Sequence, residues 1–119
     1  MIERRKHVRV RSSHPVRFRD LGHAASVNFS ETSALDISEG GVRFRADRFL
    51  PLNNKLLIEM TLSPGQRPVK SIAKPAWTKA ASGFYECEVG VFFVDIAEED
   101  RLLVRNHVTK QLGIPDNLV

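Results

Sequence analysis

The sequence predicts a mostly-β fold, an antiparallel barrel or sandwich with one C-terminal helix packed against it. Two observations carry this. Apolar residues alternate with polar ones in several short runs between residues 16 and 94, bounded by Gly, Pro or Asn. After Asp95 the apolar spacing changes from two residues to the period of a helix. A chain of 119 residues with 42% apolar content has room for one domain and one modest core.

Residues 1–13 are charged and nearly free of large apolar groups, so they are expected to form a flexible basic arm. Behind Pro15, Val16 and Phe18 alternate with Arg17 and Arg19, the pattern of a half-buried strand. Residues 21–33 are small and polar and read as a hairpin loop running into a second strand, which ends over residues 33–38. A tight turn at Glu39-Gly40-Gly41 leads to a third strand, where Val42 and Phe44 alternate with Arg43 and Arg45. Pro51, Asn53 and Asn54 mark the next turn. Leu56, Ile58, Met60 and Leu62, at spacing two, give the clearest strand. Pro64-Gly65 turns the chain into a run over residues 69–79, in which Pro75 demands an edge position or a bulge. Residues 84–94 form a last strand rich in β-branched and aromatic residues.

Asp95-Ile96-Ala97-Glu98 then has the form of a capping box, with Asp95 as the N-cap. Ile96, Ala97, Leu103, Val104, Val108 and Leu112 share one half of a helical wheel, and Gly113 and Pro115 end the helix. The expected organisation is an arm over residues 1–13, a barrel with its helix over 14–113, and a tail over 114–119.

The net charge of +4 favours an anionic partner. Seven of the eighteen basic residues fall between Arg4 and Arg19, so the excess is local to the N-terminal arm. Cys87 is the only cysteine, which excludes an intrachain disulfide and a cysteine metal cluster and suits a reducing cytoplasm. No apolar region follows the N-terminal charges as in a signal peptide, and no apolar run is long enough to span a bilayer. The four histidines show no metal-ligand spacing, and no catalytic triad or phosphate-binding loop is visible. A non-enzymatic, cytoplasmic protein without a cofactor is expected.

Two constellations carry binding chemistry. In Arg4-Arg5-Lys6-His7-Val8-Arg9, each guanidinium offers a planar fork that donates two parallel hydrogen bonds to phosphate or guanine and stacks on bases. In an extended chain Arg5 and Arg9 share one side, about 13 Å apart. His7 within the arm reads either as a ligand contact or, the preferred reading, as facing solvent. In Asp36-Ile37-Ser38-Glu39-Gly40-Gly41, period two puts Asp36 and Ser38 on one face and Ile37 on the other. A carboxylate accepts from guanine N1–H and N2–H together, and a hydroxyl meets phosphate or a base edge. Gly40 and Gly41 would let the backbone turn sharply and approach a ligand. Separately, the first run also fits a solvated surface arm and the second an ordinary hairpin turn.

Together, Arg-Arg-x-x-x-Arg (Arg4, Arg5, Arg9) and Asp-x-Ser-x-x-Gly (Asp36, Ser38, Gly41), 27 residues apart, resemble the paired signature of the PilZ domain family. The strand Gly90-Val91-Phe92-Phe93 leading into a capped helix extends the resemblance over nearly the whole chain. It implies a six-stranded antiparallel barrel that binds cyclic di-GMP on its surface. The arginine arm would fold from disorder across the ligand, and Asp36, Ser38 and Gly41 would surround one guanine. Arg4, directly before Arg-x-x-x-Arg, implies two stacked ligand molecules per protein. With no output domain in the chain, the altered surface would be read by another protein. Arg43 and Arg45 beside the motif offer electrostatic support. Trp77 reads either as core or as a stacking platform for guanine, an interaction of about 1–3 kcal/mol. Two other readings compete: a small nucleic-acid-binding barrel, disfavoured by 8% aromatic content, and a ligand-independent scaffold, disfavoured by the intact arginines.

Overall fold

The computed structural model describes residues 7–22, 27–81 and 86–113. These form β1 (Arg9–Arg11), β2 (Pro15–Asp20), β3 (Ser30–Ser38), β4 (Gly41–Ala46), β5 (Leu56–Met60), β6 (Val69–Ala80), β7 (Cys87–Ile96) and α1 (Glu98–Leu112). Six strands close on themselves in the order β3-β2-β5-β6-β7-β4, with β4 returning to β3, all antiparallel. The result is the expected six-stranded barrel with a C-terminal helix, plus one strand more.

The extra strand is β1. It and β2 lie end to end along one edge of β3: β2 pairs with residues 30–33 and β1 with residues 36–38. Between them Ser12 N donates to Leu35 O at 3.1 Å and Ala34 N to His14 O at 2.9 Å, so the ladder runs on through the jog. Residues 9–11, expected within a flexible arm over residues 1–13, are instead a paired strand. Arg9–Arg11 belongs to the sheet because Val10, opposite Ile37, is 7% exposed and joins the core. Residues 1–6 lie outside the described residues.

Alternation fills the barrel as the sequence predicts. Val16 and Phe18, Val42 and Phe44, and Leu56, Ile58 and Met60 are buried at alternate positions, with less buried residues between them. Phe18 and Phe44 meet across the interior with ring centroids 5.1 Å apart. Leu62 is buried as expected, although it lies past the end of β5.

Three register shifts interrupt the ladders, one of them between Ile72 and Ala73 against β7, and the other two are bulges that bear on the outer wall. One lies in β3 between Ala34 and Asp36, the other in β6 between Pro75 and Trp77. Pro75 thus sits at a bulge against β7, beyond Ala73 where the pairing of β6 with β5 ends. Each bulge has the same effect. Ala34 and Pro75 face inward, and the residues two positions on, Asp36 and Trp77, face outward.

The helix packs on β1, β3 and β6 through buried Val104 and Val108. Its start differs from the expected capping box: Asp95 is still in β7, and the N-cap is Ala97, with no side-chain bond. Glu98, Glu99 and Asp100 occupy the first turn instead, where carboxylates complement the helix dipole. Asp100 is buried, pairs with Arg67 and accepts from Lys70 N at 3.3 Å. Gly113 ends the helix in the left-handed conformation, φ 75°, as its position predicted. Leu112 is 43% exposed and Ala97 is exposed, so the apolar face covers less of the helix than the wheel implies.

Candidate functional site

The outer wall of the barrel carries the motif residues in two rows. Arg11, Asp36, Arg43, Gly90 and Trp77 are successive register partners across β1, β3, β4, β7 and β6. Beside them run Arg9, Ser38, Gly41, Phe92 and Lys74. Five strands at about 4.8 Å make each row about 19 Å long. A cleft of about 220 Å³ opens over this wall, lined by His7, Arg9, Asp36, Ser38, Gly40, Gly41, Arg43, Trp77 and Phe92, among others. A second, of about 650 Å³, adjoins it, sharing Arg9, Asp36, Arg43 and Trp77 and adding Arg11 and Lys79.

Each element has a local reason. Ser38 shapes the turn after β3: its Oγ accepts from Gly40 N at 3.2 Å and lies 3.5 Å from Gly41 O. Gly40 O in turn accepts from Phe93 N at 2.9 Å, tying the turn to β7. Neither glycine needs a positive φ. A Cβ on Gly41 would lie 2.0 Å from Val91 O, and one on Gly40 2.5 Å from the His7 ring. Gly41 therefore admits the close approach of β7 while also lining the cleft. Gly90 makes room in the same way: a Cβ there would meet the Trp77 indole at 2.5 Å.

Trp77 is half-buried, flat against Gly90 and lining both clefts, so it belongs to the outer wall and not to the core. Lys79 Nζ stands 5.6 Å from its ring centroid.

The cations of the wall divide into two kinds. Arg43 is engaged: Nε donates to Asp36 Oδ2 at 2.7 Å and Nη1 donates to Glu88 Oε1. Burial lowers its pKa, and the two carboxylates raise it by more, so the guanidinium stays charged. Arg9 and Arg11 are exposed and meet no carboxylate among the described residues. Arg45 is exposed on the next outward position of β4 and lines neither cleft. At the turn, Glu39 points away from the wall to Arg105 of α1, accepting from Nε at 3.1 Å and Nη2 at 2.8 Å.

Of the residues singled out in the sequence, Arg9, Asp36, Ser38, Gly40, Gly41, Arg43 and Trp77 come together here. Arg4 and Arg5 lie outside the described residues. Sequence reasoning missed Arg11, Lys79, Gly90 and Phe92, and for His7 it preferred solvent over ligand contact, whereas His7 is half-buried against Gly40 and lines the cleft. Gly90 carried a usable signal, since a glycine inside a β-rich run marks a close approach. Unpaired guanidinium groups, an indole face and a carboxylate beside a hydroxyl suit an anionic ligand with a flat heterocycle. Among the described residues no group of side chains could hold a metal ion, and no helix is long and apolar enough to cross a membrane.

Solved structures with the same fold include the Bacillus subtilis inhibitor of motility (MotI/DgrA), at TM-score 0.76 and 18% identity, over 94% of this chain and 53% of that one. The K. pneumonia MrkH–c-di-GMP complex follows at 0.67 and 12%, over 95% and 53%. MrkH in its apo state gives 0.58 and 12%, over 95% and 54%. The chain spans about half the length of these structures. No curated protein sequence matches it. The PilZ domain model matches residues 3–110, the span of arm, barrel and helix alike, and the chain belongs to the PilZ domain family.

Proposed function

We propose that the chain is a receptor for cyclic di-GMP, bound on the outer wall of the barrel. One observation carries the reading: Arg9, Asp36, Ser38 and Gly41, which the paired motif singles out, line a single cleft with Trp77. MrkH, with the same fold, forms a complex with c-di-GMP. In this reading Arg9 and Arg11 meet the phosphates, Asp36 accepts from a guanine edge, and Trp77 offers a stacking face. Arg4 and Arg5 approach from the segment before His7, closing over a doubly anionic ligand that offsets their mutual repulsion. Two stacked ligand molecules occupy the adjoining clefts, and a partner protein reads the changed surface. The domain acts by binding, with no catalysis and no cofactor.

Calorimetric titration with cyclic di-GMP tests this. Saturable binding is expected, with Arg9→Ala and Asp36→Ala each weakening it about tenfold or more, the scale of one charge-assisted hydrogen bond. Thermal unfolding of both variants should show a folded barrel. Stoichiometry decides between one ligand and two. Absence of binding by folded wild-type protein would move the function to a ligand-independent scaffold. Steeply salt-dependent binding of a long oligonucleotide instead would make it a nucleic-acid-binding barrel.

A further inference from the structure

Arg43 bridges two carboxylates from two neighbouring strands, Asp36 on β3 and Glu88 on β7. All three side chains are partly shielded, with 14% of Asp36, 31% of Arg43 and 17% of Glu88 exposed. Asp36 Oδ2 takes the Arg43 Nε–H, while Oδ1 meets no donor among the described residues. Asp36 lines both clefts, and Glu88 lines neither. The wall also has free cations for phosphate in Arg9 and Arg11, so Arg43 is not needed as one.

On the reading of cyclic di-GMP as ligand, we propose that Arg43 is a positioning residue. Anchored by Glu88, it fixes the Asp36 carboxylate in the orientation that accepts from guanine N1–H and N2–H. Without this hold the carboxylate turns about its own bond, and its two acceptors no longer match two parallel donors. A planar fork gripped at two nitrogens sets that orientation. A lysine in its place keeps the charge but offers one point of attachment. Glu88 acts at one remove, by holding the guanidinium.

The sign of the Glu88 effect separates this from electrostatics alone. Removing a carboxylate beside an anionic ligand strengthens binding through the field. Loss of positioning weakens it. Cyclic di-GMP is titrated into wild-type protein, Glu88→Ala and Glu88→Gln at one ionic strength, with thermal unfolding of each. Glu88→Ala is expected to bind about three- to tenfold more weakly, and Glu88→Gln, whose amide oxygen still accepts from Nη1, within about twofold of wild type. Unchanged or tighter binding by Glu88→Ala overturns the proposal.

A second probe is cyclic di-inosine monophosphate, which lacks the guanine 2-amino group. Wild-type protein should prefer cyclic di-GMP over it, and Arg43→Lys should lose most of that preference. A preference undiminished in folded Arg43→Lys overturns the proposal too. If wild-type protein binds no cyclic di-GMP at all, it is the receptor reading that fails.

Discussion

Two glycines of the wall have different consequences because different atoms fill the space a Cβ would take. At Gly41 the obstacle is the Val91 carbonyl at 2.0 Å, backbone that cannot rotate away. Gly41→Ala must therefore spread β4 from β7, and chemical denaturation should show a loss of about 1–3 kcal/mol or more. At Gly90 the obstacle is the Trp77 indole at 2.5 Å, a side chain with open cleft beside it. Gly90→Ala should lift that ring with a smaller loss of stability and a larger loss of ligand affinity. The contrast, read by unfolding and titration on both variants, checks the division of labour between the two. His107 belongs to the same scale. Burial first, then His14 and Lys110, lower its pKa, and its buried Nε2 meets no hydrogen-bond partner among the described residues. A base that is harder to protonate folded than unfolded favours the folded state fully above the unfolded value of about 6.5. That advantage is lost as pH falls through the folded value. The unfolding temperature should accordingly drop on acidification below pH ~6.5, and less so in His107→Gln.

At the scale of elements, the strands with unbroken alternation were legible in the sequence, β5 above all, because one face of each is buried. What the sequence concealed lies at two bulges. Uninterrupted period two carries Trp77 inward with Ala73 and Pro75, which is why it reads as core. The β6 bulge turns it out. The β3 bulge does the same for Asp36 relative to Ala34. The charged segment at Arg9–Arg11 was illegible as a strand for another reason: three residues show no period, and the edge of β3 that receives them is formed elsewhere in the chain. The motif residues were legible because their spacing, not their local structure, identifies them. From this comes a prediction about β1. Val10→Ala removes two methyl groups from a side chain 7% exposed and should cost about 1–3 kcal/mol. It should also weaken ligand binding, since β1 sets Arg9 opposite Ser38. Faster amide exchange at Arg9–Arg11, with β5 unaffected, is the measurement that ties the two effects together.

For the molecule as a whole, the closed ring of six strands leaves no unpaired barrel edge, so the wall is free to hold polar and charged groups without holding the fold together. The hydrophobic cluster lies inside the ring and under the helix. The polar side chains of the cleft stand outside it, and Gly41 and Gly90 serve the packing of strands and the shape of the cleft at once. Such a separation lets the two sets of residues change independently. The interior can exchange one aliphatic side chain for another while the wall keeps its chemistry, which accords with a shared fold at 12–18% identity. On the receptor reading the converse holds equally: a descendant of this chain can lose Arg9 or Asp36, and with it the ligand, and still inherit an intact barrel.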